Sequence, residues 1–212
     1  DIINNVLKSL NNNLSEMIKS DLSEHPALAS RPVSTIILDT MLHYFKSNAR
    51  LYIISCILIW LFSILFISLV LKEFFNKNTV YIFILLASFP FFATSIFAEH
   101  LIIYFFSILF WSISLFFIIK FAKNKNLIFY YSGLIFLSLS LLSLENIFPL
   151  LWLTSFLPIV YEISKINSFN NKLLLKYFST YVLPIIFICL LYVIFKVYIL
   201  KLYTDIDYTY GT

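Results

Sequence analysis

Two short turns in this chain place ionisable side chains between apolar stretches, where such groups are rare. Glu99 and His100 are neighbours in one turn, and Glu145 lies in another. A carboxylate beside an imidazole can accept a proton or hold a divalent cation. Because charged groups are costly near a bilayer, these residues are candidates for a functional site. The alternative is that a very short turn at a membrane surface simply needs polar residues.

The N-terminal segment supplies a second set of candidates. Asp1 offers a carboxylate, and the guanidinium of Arg31 can form paired hydrogen bonds with a phosphate. A lone surface arginine is, however, more often structural than functional. Most of the acids of this segment are expected on solvated helix surface, and only one or two could reach a site: Asp1, Asp21, Glu24 and Asp39. The sequence has only 2 glycines and contains no glycine-rich phosphate loop, Cys/His metal signature or serine nucleophile elbow.

The composition indicates that lipid, rather than water, surrounds most of the chain. Hydrophobic residues make up 61% and charged residues 12% of the 212 residues, and the mean hydropathy is +0.92. A soluble globular domain has about twice that share of charged residues. We therefore expect an integral membrane protein whose main partner is the bilayer, with no nucleic-acid partner.

Several apolar blocks are long enough to cross a bilayer as helices, which takes about 20 residues. They lie at about 51–71, 79–98, 101–119, 127–144, 147–161 and 177–199. These blocks predict an all-α polytopic membrane protein with about six transmembrane helices. Pro90 is expected to kink the second block, and the fifth block is short and contains Pro149 and Pro158.

Lysines between the apolar blocks are confined to alternate connections. They are Lys72 and Lys77, then Lys120, Lys123 and Lys125, then Lys165, Lys172 and Lys176. The positive-inside rule places these connections in the cytoplasm and the turns with Glu99-His100 and Glu145 outside. The segment 1–48 and the tail 201–212 are then expected outside as well.

The segment 1–48 is expected to form amphipathic helices outside the bilayer, before a transmembrane domain over 49–200. Apolar residues at spacings of three and four predict one helix near the start and a second at 33–46. His25-Pro26 and Arg31-Pro32 interrupt the helical pattern between them. Since the sequence lacks an initiator Met and begins with polar residues, we interpret it as a fragment truncated at both ends.

The layout of the chain resembles that of the C-type membrane glycosyltransferases that use polyprenyl-phosphate sugars. This group contains the protein O-mannosyltransferases and related bacterial lipid and O-antigen modifiers, with a long external loop followed by many spans joined by short turns. The motifs that resemble the family are Arg31-Pro32-Val33-Ser34, Ser88-Phe89-Pro90 with Glu99-His100, and Ser143-Leu144-Glu145 with Pro149. Leu144 stands where the family has Lys, and the family's acidic pair is reduced to Asp1.

The resemblance implies transfer of a sugar from a polyprenyl-phosphate donor to an acceptor at the external face of a bacterial plasma membrane. In this role Asp1 or Glu99, beside His100, deprotonates or orients the acceptor hydroxyl. Arg31 or a bound divalent cation stabilises the departing phosphate, and Glu145 contributes to substrate binding. The fragment alone is expected to be inactive. Two other functions stay open: a transporter or flippase of a lipid-linked saccharide, and a non-enzymatic membrane scaffold.

Overall fold

The computed structural model describes residues 13–24, 26–46, 48–75, 102–144, 147–165 and 171–202, and all regular secondary structure in these ranges is helical. The helices are α1 (Leu14–Glu24), α2 (Pro26–Ala29), α3 (Pro32–Phe45), α4 (Ala49–Phe75), α5 (Ile102–Asn124), α6 (Leu127–Ser143), α7 (Phe148–Ile163), α8 (Asn171–Tyr177) and α9 (Leu183–Leu202). A π-helical turn (Phe178–Val182) joins α8 to α9 as one continuous helix.

Three of the described helices are long and apolar enough to cross a membrane. They are α4, α5 and the continuous helix formed by α8 and α9, with mean hydropathies of 2.8, 2.4 and 2.6. Helices α6 and α7 are also apolar but shorter, with 17 and 16 residues. For the described residues, the prediction of an all-helical membrane protein is therefore confirmed. The predicted span at 79–98 lies outside the described residues.

Contacts between helix termini define two ends of the helix bundle. At one end α4, α5 and α7 finish and α6 and α8 begin; we call it the lysine end. There Lys123 Nζ lies 2.9 Å from a Glu73 carboxylate oxygen, and Lys125 forms an ion pair with Glu162. The opposite end carries α3, which contacts the end of α6, and we call it the α3 end.

Helix α5 is the central span of the described part of the chain. In its most apolar 18-residue stretch 50% of the residues are buried, whereas the corresponding share is 17% in the helix formed by α8 and α9. It packs against α4, α6 and α7. Helix α9 therefore lies at the edge of the bundle, with most of its surface facing the surroundings.

Small polar residues make the closest contacts between α5 and α6. Ser114 Oγ donates a hydrogen bond to the Gly133 carbonyl oxygen at 2.7 Å. Ser140 Oγ donates to the Ser107 carbonyl at 2.8 Å, and Ser107 Oγ donates back to the Ser140 carbonyl at 3.1 Å. Short side chains let two backbones approach and their hydroxyls bind across the interface, as is common between membrane helices.

The π-helical turn coincides with a proline that cannot complete the backbone ladder. Pro184 has no N–H to donate to the carbonyl of Thr180, four residues earlier. Tyr130 OH, at the start of α6, donates to this carbonyl oxygen at 2.8 Å. A neighbouring helix thus supplies the hydrogen bond that proline removes, which is how membrane helices tolerate such breaks.

Candidate functional site

Helix α3 positions the predicted phosphate-binding residue Arg31. Pro32 lies in the first helical turn, where a missing N–H costs no hydrogen bond. The Arg31 carbonyl oxygen accepts hydrogen bonds from Thr35 N at 3.1 Å and Thr35 Oγ1 at 3.2 Å. Arg31 is half-buried at the point where the chain enters α3.

Two buried hydroxyl groups fix α3 to its neighbours. Ser34 Oγ donates a hydrogen bond to the Ser143 carbonyl oxygen at the end of α6. Thr35 Oγ1 donates to the Leu28 carbonyl oxygen in α2 at 2.9 Å. Both side chains are almost fully buried. As a result, α3 is held against the ends of the spans and does not extend away from them.

Asp39 is an acid at the α3 end that the sequence did not single out as a site residue. We expected most acids of this segment on solvated surface, but Asp39 is only 2% exposed. His43 follows one turn later, and its Nδ1 is buried with no hydrogen-bond partner among the described residues. Thr35, Asp39 and His43 recur every four residues, so they form one polar row along α3. The four-residue spacing was the signal in the sequence, because it places Asp39 on one helix face with Thr35 and His43. A carboxylate that is buried there usually has a structural or functional reason.

Four predicted site residues lie outside the described residues: Asp1, Glu99, His100 and Glu145. Their roles stay predictions, and the structure does not bring them together with Arg31 or hold them apart. The divalent cation expected near Glu99 and His100 falls outside the described ranges too. Within those ranges, no group of three or more His, Cys, Asp or Glu side chains could hold a metal ion.

The described residues that flank these turns lie at the α3 end. Ile102, which begins α5, packs in one buried cluster with Met41 of α3. Leu144 and Ile147, on either side of the turn after α6, are 5% and 3% exposed. The start of α5 and the end of α6 therefore meet α3, the helix that Arg31 precedes and that carries Asp39.

Two apolar cavities open beside α9. The larger, about 270 Å³, lies between α7 and α9, and its lining includes Phe148, Trp152, Ile186 and Cys189. The smaller, about 210 Å³, lies between α6 and α9. Because both linings are almost wholly apolar, either cavity suits a hydrocarbon chain better than a polar ligand.

Glu162 is the buried acid at the lysine end. It lies in the last turn of α7 and is 8% exposed. Tyr181 OH donates a hydrogen bond to Glu162 Oε1 at 2.8 Å, and the Lys125 ammonium group binds the same oxygen. One carboxylate thus joins the turn before α6, the end of α7 and the π-helical turn before α9.

A tight turn directs Lys125 toward this carboxylate. Lys125 has a left-handed backbone with φ 55°, and Asn126 Oδ1 caps α6 by accepting from Ile128 N at 2.9 Å. Partial burial and the positive charges of Lys176 and Lys165 lower the pKa of Lys125. Several ammonium groups are therefore close enough to repel one another at this end.

We expect Glu162→Gln to lower the free energy of unfolding by about 2 kcal/mol, because hydrogen bonds to a charged group contribute about 1.5–3 kcal/mol. The amide removes the charge that binds Lys125 but keeps the side-chain size. Thermal unfolding in detergent micelles measures the change. Glu16→Gln, which removes an exposed acid on α1, should leave the unfolding temperature unchanged. Equal stability of both variants would contradict a structural role for the Glu162 ion pair.

No protein-family model, curated protein or solved structure matches this chain. Its own helices define its class, which is that of all-helical integral membrane proteins.

Proposed function

We propose that this protein is a membrane glycosyltransferase that moves a sugar from a polyprenyl-phosphate donor to an acceptor hydroxyl at the α3 end. The observation that carries the proposal is the burial of the Asp39 carboxylate on a helix held against the ends of the spans. A carboxylate in such a place costs folding energy, and sites of catalysis are where that cost is commonly found.

The chemistry requires a proton acceptor and stabilisation of a leaving phosphate. The acceptor oxygen bonds to the anomeric carbon while the bond from that carbon to the phosphate oxygen breaks. Asp39 takes the acceptor proton, and Glu99 with His100 orients the hydroxyl. The phosphate leaves with the bonding electron pair as polyprenyl phosphate. Arg31 stabilises its charge by paired hydrogen bonds, and Glu145 binds the sugar.

The donor also carries a long isoprenoid chain, which needs an apolar path. The cavity between α7 and α9 offers about 270 Å³ with an almost wholly apolar lining. Phe148, in the first turn of α7, places one part of this lining toward the α3 end. A chain in this cavity would leave its phosphate at the end of the bundle where Arg31 and Asp39 lie.

The proposal includes the topology predicted from the sequence. With about six spans, the lysine end faces the cytoplasm of a bacterium and the α3 end faces outward across the plasma membrane. Helix α4 ends at the lysine end and α5 begins at the α3 end, which is the arrangement that a span within 79–98 requires. Donor, acceptor and site then meet at the outer surface.

The distribution of charge favours an enzyme at the membrane surface over a transporter. Charged residues of the described apolar helices lie within the terminal two turns: Arg50, Lys72, Glu73, Lys120, Lys123, Glu162, Lys172, Lys176, Lys196 and Lys201. A pathway for a polar sugar across the bilayer would call for polar or charged groups at the middle of the spans.

The test is sugar transfer by the full-length gene product in membrane vesicles. Polyprenyl-phosphate donors with a radiolabelled sugar are supplied, and label covalently bound to acceptor lipid or polysaccharide is measured. We expect labelled product, and none from a matched donor whose sugar is attached to the polyprenol without phosphate. Label that crosses the vesicle membrane without covalent product would instead support a transporter. The absence of both reactions with every donor would support a scaffold.

A further inference from the structure

Three lysines from separate elements converge at the lysine end. Lys125 lies in the turn between α5 and α6, Lys165 follows α7, and Lys176 lies on α8. Lys125 is within interaction range of both Lys165 and Lys176. All three residues are exposed, so their ammonium groups are open to a ligand.

Among the described residues at this place, ammonium groups outnumber carboxylates. Glu162 is the acid that binds Lys125, and it also accepts the Tyr181 hydrogen bond. The other acid at this end, Glu73, is bound by Lys123 and Lys120. Glu162 binds Lys125, whose ammonium group is repelled by those of Lys165 and Lys176, so an anion placed among the three ammonium groups would relieve that repulsion.

Aromatic rings hold two of these lysines in place. Lys165 Nζ lies 4.1 Å from the centre of the Tyr161 ring, and it donates to the Tyr161 hydroxyl. Lys125 Nζ lies 5.9 Å from the centre of the Phe121 ring. Lysines restrained in this way lose less conformational freedom when they bind an anion.

The surroundings favour an anion that carries a hydrocarbon chain. Leu174, Leu175 and Phe178 are 45%, 71% and 43% exposed on the same stretch of helix as Lys176. Cations beside exposed apolar side chains, at an end where spans finish, match the boundary between lipid headgroups and acyl chains.

We propose that Lys125, Lys165 and Lys176 form a binding site for the phosphate headgroup of an anionic phospholipid in the leaflet at the lysine end. The headgroup phosphate accepts hydrogen bonds from the three ammonium groups above the Glu162 carboxylate. Its acyl chains lie along Leu175 and Phe178. This site is at the opposite end from α3 and does not depend on the glycosyltransferase proposal.

The site is tested with the full-length protein in nanodiscs of neutral lipid that contain a small fraction of fluorescent phosphatidylglycerol. Binding is measured by energy transfer to the lipid from the tryptophan side chains of the protein itself. Replacing Lys125, Lys165 and Lys176 together with glutamine should weaken binding by about 100-fold, since each near-surface lysine contributes about fivefold. Replacing the same three lysines with arginine should preserve binding.

A matched variant distinguishes this site from general charge attraction. Lys19, Lys46 and Lys201, which lie away from the lysine end, are replaced with glutamine so that net charge changes equally. This variant should bind the lipid as wild type does, and equal weakening of binding in both variants would overturn the proposal. Inorganic phosphate should compete only at concentrations far above that of the lipid. Competition at matching concentrations would identify a soluble anion as the ligand and overturn the lipid assignment.

Discussion

Replacement of Asp39 with asparagine is expected to lower the rate of sugar transfer by about 100-fold or more, because an amide cannot take the proton of the acceptor hydroxyl. Asparagine has nearly the same size and retains hydrogen-bonding capacity, so α3 should still dock at this position, which is 2% exposed. The rate is measured with labelled polyprenyl-phosphate sugar in membranes that contain equal amounts of wild type and variant.

Two further variants test whether the loss of sugar transfer is specific to the proposed site. Glu16→Gln removes an exposed carboxylate from α1 and should transfer sugar at the wild-type rate. Glu99→Gln should lower transfer as well, because the resemblance to C-type glycosyltransferases implies a role for Glu99. A wild-type rate in Asp39→Asn would exclude Asp39 as the proton acceptor. A loss of transfer together with a lower unfolding temperature would assign Asp39 to the stability of the fold instead.

The Gly133→Val variant is expected to lose about 1–3 kcal/mol of stability, the usual range for overpacking a filled interior. A Cβ atom at Gly133 would lie 2.6 Å from Ile118 Cγ1 and 3.3 Å from the Ser114 carbonyl oxygen. Ile118 is 1% exposed and belongs to the buried cluster of the bundle. The helices α5 and α6 would have to separate, which also weakens the hydrogen bond from Ser114 Oγ to the Gly133 carbonyl.

Thermal unfolding in detergent micelles measures this loss. Ile135→Phe is the matched control, because it adds bulk to α6 at a position that is 59% exposed. The control should unfold at the wild-type temperature, whereas Gly133→Val should unfold at a lower one. If both variants unfolded at the same temperature, the close contact of α5 with α6 would not limit the stability of the protein.

The class of the fold could be predicted because it depends on local composition. Apolar stretches of membrane-spanning length have to form helices in lipid, where every backbone N–H and C=O needs a partner within its own segment. The sorting of lysines is likewise a property of the linear sequence. The structure brings Lys123 to Glu73 and Lys125 to Glu162 at one end of the bundle. Which side of a membrane that end faces stays a prediction.

The candidate site was less accessible to sequence reasoning because it depends on which helices are neighbours. Asp39 was grouped with acids expected mostly on solvated surface, since α3 read alone does not reveal that the fold leaves Asp39 only 2% exposed. The role of Gly133 was hidden for the same reason, as Ile118 and the Ser114 carbonyl, both on another helix, make the glycine necessary. The cavities beside α9 arise from incomplete packing of that helix against α6 and α7, which no pattern within α9 encodes.

The π-helical turn before α9 alters the angular relation between the two parts of one continuous helix. Such a turn holds one residue more than an α-helical turn, so the side chains that follow are offset by about 100° around the axis. Lys176 and Ile185 are therefore not related by ordinary helical spacing, although no break in the helix separates them. Loss of one residue from this turn would leave an ordinary α-helical turn and restore regular spacing, while α9 keeps its present orientation. The extra residue is therefore absorbed within the turn, and the side chains of α9 that meet α7 do not depend on it.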